Sequence, residues 1–169
     1  MISAYLKLEG EKAGKIKGPV RDRDDIKDGS IALLGVEHGI TSARDPATGM
    51  AIGRRQHLPI TVTKEVDHTS PFFYQFIAHN ELIKNVEICF FGSSSQPGLS
   101  MGRESMQYKI TLRKAWVSKV EFAGQPDAAA PENNRFKLTE RISLVYDLIY
   151  WEWASPKIAA EDNFSSAQT

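Results

Sequence analysis

The chain has 169 residues, enough for one domain that buries more than ~65% of the surface its unfolded form exposes. Its 21 basic and 21 acidic residues cancel, which excludes a general electrostatic attraction to nucleic acid or to an anionic membrane. A single cysteine, Cys89, excludes an intramolecular disulfide, and its place in the apolar run "VEICFF" reads as a buried structural thiol rather than a nucleophile.

The opening "MISAYLKLEGEKAG" carries neither a basic leader nor an apolar run of signal-peptide length. No stretch reaches the ~18 consecutive apolar residues of a membrane span. The expectation is a protein made in the cytoplasm without a signal peptide and not inserted in a membrane. Ile2, Ala4, Leu6 and Leu8 alternate as a first strand. A charged segment, "VRDRDDIKDGS", precedes the apolar run "SIALLGVEHGIT", where Glu37 has the opposite parity to Leu34, Val36 and Ile40 and so faces away from the core.

The segment "SARDPATGMAIGRRQ" then separates two strands by about fifteen residues, against the two to five of an ordinary hairpin loop. Met50, Ala51 and Ile52 form its apolar centre, with Arg44 and Asp45 before them and Arg54 and Arg55 after. An apolar tip between charges suits docking onto another protein better than solvation, with a floppy surface loop as the alternative. Leu58, Ile60 and Val62 begin the next strand. In "DHTSPFFYQFIAHNEL", Ser70 reads as an N-cap and Pro71 fits the first helical turn. Phe73, Phe76 and Ile77 then fall on one apolar stripe.

Beyond the strand "NVEICFF" and the long turn "SSSQPGLSMGRES", the even positions from Met106 to Phe122 are mostly apolar and the odd ones mostly polar. Phe136, Leu138, Ile142, Leu144, Tyr146, Leu148 and Tyr150 share a face in the same way. Past Val145 the opposite face turns apolar as well, with Ile149, Trp151 and Trp153. That second face requires cover, either from a helix or loop of the same chain or from a neighbouring subunit. The segment 155–169 is small, polar and proline-marked and is expected to be a flexible tail after a single domain of residues 1–154. About six long strands with one helix indicate a mainly β fold, an antiparallel sheet that curls or closes to hide its edges.

Chemistry finds little purchase. His38, His57, His68 and His79, even with Glu65 and Asp67, lack metal-ligand spacing, and there is no Cys-x-x-Cys. The glycines are scattered rather than gathered in a phosphate loop, and no G-x-S-x-G elbow exists. No catalytic residue, cofactor or metal is expected. A monomeric β-barrel holding a small ligand remains open on the strand pattern alone. A nucleic-acid module at "GRRQH" rests on two arginines in a neutral chain.

Four stretches taken together, "YLKLEG", "GRRQHLPITVTKEVDHTSPFFYQF", "MQYKITLRKAWVSKVEF" and "ERISLVYDLIYWEW", resemble the Hcp family, the tube protein of bacterial type VI secretion. The likeness runs in order over about residues 2 to 153. The resemblance implies an antiparallel two-sheet β-barrel with one flanking helix and an extended hairpin loop. It implies a homohexameric ring that stacks into a hollow tube, carries effector proteins in its lumen, and leaves the cell with a spike protein by the action of a contractile sheath. Under it, the segment from Ser42 to Gln56 reaches the adjoining ring through Arg44, Asp45, Met50, Ile52, Arg54 and Arg55. Glu37 would face the lumen and its cargo, and Ile149, Trp151 and Trp153 would lie at the subunit interface. The charged segment near 21–30 and the turn near 93–105 depart from the family pattern and would decorate the rim.

Overall fold

A computed structural model describes residues 2–93, 104–123 and 138–164. In chain order the elements are β1 (Ser3–Gly10), β2 (Gly14–Lys15), β3 (Ile31–Glu37), β4 (Ile40–Thr41), β5 (Gln56–His57), β6 (Ile60–Glu65), α1 (Ser70–Ala78), β7 (Ile83–Ser93), β8 (Glu104–Ala123), β9 (Thr139–Trp153) and β10 (Ile158–Asn163). Phe136, most of the turn near 93–105 and residues 165–169 of the tail lie outside the described residues.

Six strands close on themselves in the order β9, β6, β3, β1, β7, β8 and back to β9, each neighbouring pair antiparallel. Closure satisfies both edges of every member, as the strand pattern leads one to expect. β10 pairs with β9 from Leu148 to Trp153, along a stretch that β6, paired only up to Leu144, does not cover. Alternation sends Leu6 and Leu8, Ile60 and Val62, Val86 and Ile88, Ile110 and Leu112, and Ile142 and Leu144 into one shared core. The barrel interior is therefore filled by its own side chains.

Helix α1 contributes Phe73 and Phe76 to that core. A Cβ at Gly10 would collide with the Phe76 ring, so the strand needs glycine where the helix meets it. Pro71 lies in the first turn as expected, but the N-cap is Thr69, and Ser70 is already helical. The Ser70 hydroxyl is diverted to Glu140, donating to its Oε1 at 2.6 Å. Phe72 packs on the core while Ile77 stays exposed, so the buried stripe is shifted by a residue at each end.

The even-numbered face expected along 106–122 does not run unbroken. Ile110 and Leu112 point inward, then Ala115 and Val117, and Lys114 between them has φ +51°. The partner strand changes face at the same place: Leu112 pairs with Ile149 and Ala115 with Tyr146, all four in the core. Lys114 and Asp147 are left outside, 3.9 Å apart. The apolar character of both faces at the end of β9 is thus a change of face within one chain. Ile149 is 0% exposed and Trp151 packs against the same core, so Ile149 is not available to a neighbouring subunit.

Two shorter expectations shift for the same kind of reason. A register shift between Leu33 and Gly35 leaves Leu33 against the core and Leu34 exposed, and Leu58 is exposed before β6 begins. The charged segment before β3 folds against the outer wall of β1 and β7. The Lys27 ammonium lies 4.5 Å from the centroid of Phe91 and donates to Glu104 at 2.7 Å. Burial opposes its charge, yet the Glu104 hydrogen bond wins and raises its pKa. Gly18 abuts the Ser30 carbonyl so closely that no side chain fits there.

Candidate functional site

The segment between β4 and β5 is an ordered ribbon rather than a loose loop. Ile40 pairs with His57 and Thr41 with Gln56. The ladder continues outward through the Ile52 amide donating to the Ala43 carbonyl, a bridge between Arg44 and Ala51, and the Asp45 amide donating to the Met50 carbonyl. At the tip, Asp45 Oδ1 accepts the amides of Ala47 and Thr48, and Gly49 takes φ +70°. Asp-Pro-Ala-Thr-Gly thus supplies an aspartate to hold the turn, a proline to fix φ and a glycine for the left-handed position. Met50 is 70% and Ile52 64% exposed on this ribbon. Arg44 donates to the Gly49 carbonyl at 3.0 Å, and Arg54 is exposed.

Both legs of the ribbon are rooted in one side-chain chain. His38, on the entering leg, lies 2.6 Å from the Tyr146 hydroxyl of β9 through Nε2. His57, on the leaving leg, lies 3.0 Å from the same hydroxyl through Nδ1. Its Nε2 is 2.9 Å from Asp162 of β10. Arg55 grips that carboxylate with two nitrogens, Nε at 2.6 Å and Nη2 on the other oxygen. The guanidinium, with the Asn163 amide and His57 adding to it, holds Asp162 down to about 2 against the opposing effect of burial. Burial, reinforced by the Asp162 charge, pushes the Tyr146 phenol up. Burial and then the neighbouring His57 pull His38 down.

Of the six ribbon residues singled out in the sequence, Arg44, Met50, Ile52 and Arg54 are therefore presented outward. Asp45 secures its own turn, and Arg55 is engaged with Asp162. The first part of the segment expected as a loose tail from residue 155 is held in the same way: β10 pairs with β9, the Phe164 amide donates to the Asp147 carbonyl, and Asp162 ties β10 to Arg55 and His57 of the ribbon.

Glu37 stands on the outer wall formed by β3, β6, β9 and β8. Register places Glu37, Thr61, Ser143 and Lys119 in one row, with Gly35, Thr63, Arg141 and Glu121 in the next. Glu37 pairs with Arg141 at 2.9 Å and Lys119 with Glu121 at 2.7 Å, while Thr61 and Ser143 share a hydrogen bond. The wall is polar and locally neutral, its two acids offset by two bases. Trp153 is 44% exposed at the end of β9, its ring tilted against that of Tyr108 at a centroid distance of 6.4 Å, and is paired with Ile158 of β10.

At the opposite end of the barrel, Lys64 extends the inward face of β6. Its ammonium donates to Glu140 at 2.8 Å, Ser70 at 3.1 Å and the Glu65 carbonyl at 2.7 Å, and lies 3.3 Å from Asp67. Asp67 is held low: burial opposes this, but the Thr69 hydroxyl and amide and then Lys64 outweigh it. Among the described residues no group of three or more His, Cys, Asp or Glu is placed to hold a metal ion. His68 instead lies 3.0 Å from the Lys17 carbonyl.

The sequence placed Tyr146 only on the apolar face of its strand, did not single out Asp162 or Lys64, and weighed His38 and His57 as metal candidates, His57 also within a nucleic-acid reading. The pattern of alternation assigns each residue a face but names no partner. These groups meet only once the barrel closes and β10 returns along β9.

Comparison with known proteins places these features in context. The pattern of the family described as "Type VI secretion system effector, Hcp" matches residues 5–153. The "Major exported protein" of Pseudomonas aeruginosa is 24% identical over 170 residues, covering 96% of this chain and 95% of that one. A crystal structure of an Hcp protein superposes with a TM-score of 0.83 at 20% identity, over 98% of this chain and 99% of that one. A doubly substituted Hcp1 protein of E. coli EAEC 042 gives a TM-score of 0.79 at 26% identity, over 97% of this chain and 99% of that one.

Proposed function

The chain belongs to the Hcp family of type VI secretion system proteins, and from that premise we propose that the ribbon of residues 40–57 is the contact by which one ring of subunits grips the next. The protein is an exported tube subunit of that system. Six copies close into a ring by a heterologous interface, rings stack into the tube, effector proteins travel in its lumen, and spike and sheath complete the apparatus. The interior packing of the barrel argues against the small-ligand carrier, since core side chains occupy the space such a ligand needs.

One observation carries the reading. A folded ribbon holds Met50 and Ile52 out in solvent on a ladder with a secured tip, and exposed apolar side chains on a rigid platform are suited to burial against a partner. Arg44 and Arg54 flank them for polar contacts. Within the ring, Trp153 with Trp151 beside it offers aromatic surface to the adjoining subunit. The neutral polar wall around Glu37 suits a lumen, where cargo must be touched without being trapped.

Replacing Met50 and Ile52 together by glutamate keeps the ribbon's backbone intact. The expected result is a protein of sixfold mass by light scattering that forms no tubes by electron microscopy. Tubes of ordinary length from this variant would overturn the assignment of the ribbon to stacking.

A further inference from the structure

Directions can be assigned along the chain of contacts at the ribbon's root. Asp162 is ionised and can only accept, so His57 Nε2 carries a proton and donates to it. Neutral His57 then has Nδ1 as an acceptor, which the Tyr146 hydroxyl fills as donor. The Tyr146 oxygen is left to accept from His38 Nε2–H. With both imidazoles neutral every contact along the chain from His38 Nε2 to Asp162 has one donor and one acceptor.

One added proton is absorbed by reversal. If His57 becomes doubly protonated, Nδ1–H donates to the Tyr146 oxygen, the hydroxyl turns to His38, and His38 Nε2 accepts by changing tautomer. A second proton has no such place. Both ring nitrogens would then donate toward a single oxygen, the hydroxyl proton would lose its acceptor, and two cations would face each other across Tyr146 in a site where His57 and Tyr146 are buried. The groups facing this pair are Tyr146 and the Trp151 ring from β9, and Asp162 and the Phe164 ring from β10 and the residue after it, with Arg55 beyond Asp162. Asp162 has one imidazolium within reach, and Arg55 already takes much of its charge.

We propose that His38, Tyr146, His57 and Asp162 form an acid-released latch, in which uptake of a second proton by the two imidazoles detaches His38 from Tyr146 and frees the entering leg of the ribbon at its root, while β10 stays paired with β9. The latch belongs to one subunit, whatever the ribbon touches. Its His38 limb titrates below the usual ~6.5, because burial and His57 both disfavour the charged form. Neutral conditions therefore keep it closed.

Amide hydrogen exchange, corrected for the intrinsic pH dependence of exchange, tests this at pH 7.5 and pH 5.0. Protection in residues 40–57 is expected to fall measurably at the lower pH, because the lowered His38 pKa makes the closed latch the form that binds fewer protons. Protection in β7 is expected to hold, which certifies the barrel. His38→Gln keeps a hydrogen-bonding side chain that cannot charge and should flatten the pH response. Tyr146→Phe, which removes the shared oxygen, should leave residues 40–57 weakly protected at both pH values. Equal protection at the two pH values in the unaltered protein overturns the latch. So does an acid response of the same size in His38→Gln.

Discussion

Glu140 and Tyr146 stand on the same inward face of β9, and each anchors a polar cluster within an otherwise apolar barrel. Around Glu140 the members are a lysine and a second carboxylate, Asp67. Lys64 is 0% exposed and meets two carboxylates, a hydroxyl and a carbonyl, tying the start of α1 to two strands. Around Tyr146 the members are two imidazoles and a phenol, half-open to solvent through His38, tying the ribbon and β10 to the barrel. The first cluster holds elements that must never part, whereas the second holds the two elements that lie outside the closed sheet, with groups whose charge depends on the medium.

The sharpest way to break that contrast is at Lys64. Lys64→Met leaves Glu140 buried without its cation and should cost about 3–5 kcal/mol by urea denaturation, with Lys64→Met combined with Glu140→Leu recovering most of it. A single-variant cost no larger than that of an exposed residue would mean that the cluster does not pin the helix. Tyr146→Phe should cost less, about 1–3 kcal/mol, because it orphans imidazole nitrogens rather than a charge.

Acid titration sharpens the comparison further. His38 has a lowered folded pKa, so the unfolded chain binds more protons below ~6.5 and stability falls as pH drops through that value. Asp162 is held near 2, so its contribution is complete above the ordinary carboxylate range and disappears only as pH approaches about 2. Two separate losses are expected in melting temperature against pH, the upper one absent in His38→Gln. The smallest effect belongs to the outer wall. Lys119→Ala removes an exposed pair and should leave the melting temperature unchanged.

Much of this architecture could be read from the residues. Strict alternation at Ile60 and Val62, and Pro71 followed by Phe73 and Phe76, mark a strand and a helix because burial imposes periods of two and 3.6. What alternation cannot reveal is a place where two paired strands change face together. Nothing in "LRKAW" or "VYDLI" announces that Lys114 will take a positive φ opposite Asp147, and a change of face in one strand is tolerated only because its partner changes too. The ribbon residues were visible through an unusual loop length. Its root was not, since His38, His57, Tyr146 and Asp162 come from four segments that approach only through the closed sheet. Lys64 was hidden for the opposite reason, as a polar residue on a face whose period marks it as core.

Cys89 lies on β7 between Tyr5 of β1 and Lys109 of β8, buried, with burial pushing its thiol up to about 11. The thiolate is the reactive form, and at neutral pH this sulfur holds almost none of it. A protein that leaves the reducing cytoplasm therefore carries its only thiol in a form that neither oxidises readily nor welds one copy to another. The same shielding makes the chain a clean background for chemistry added by design. A cysteine placed at Met50 or Trp153 would be the one sulfur open to a cross-linker, so that any covalent ladder on a gel reports the neighbour at that position alone.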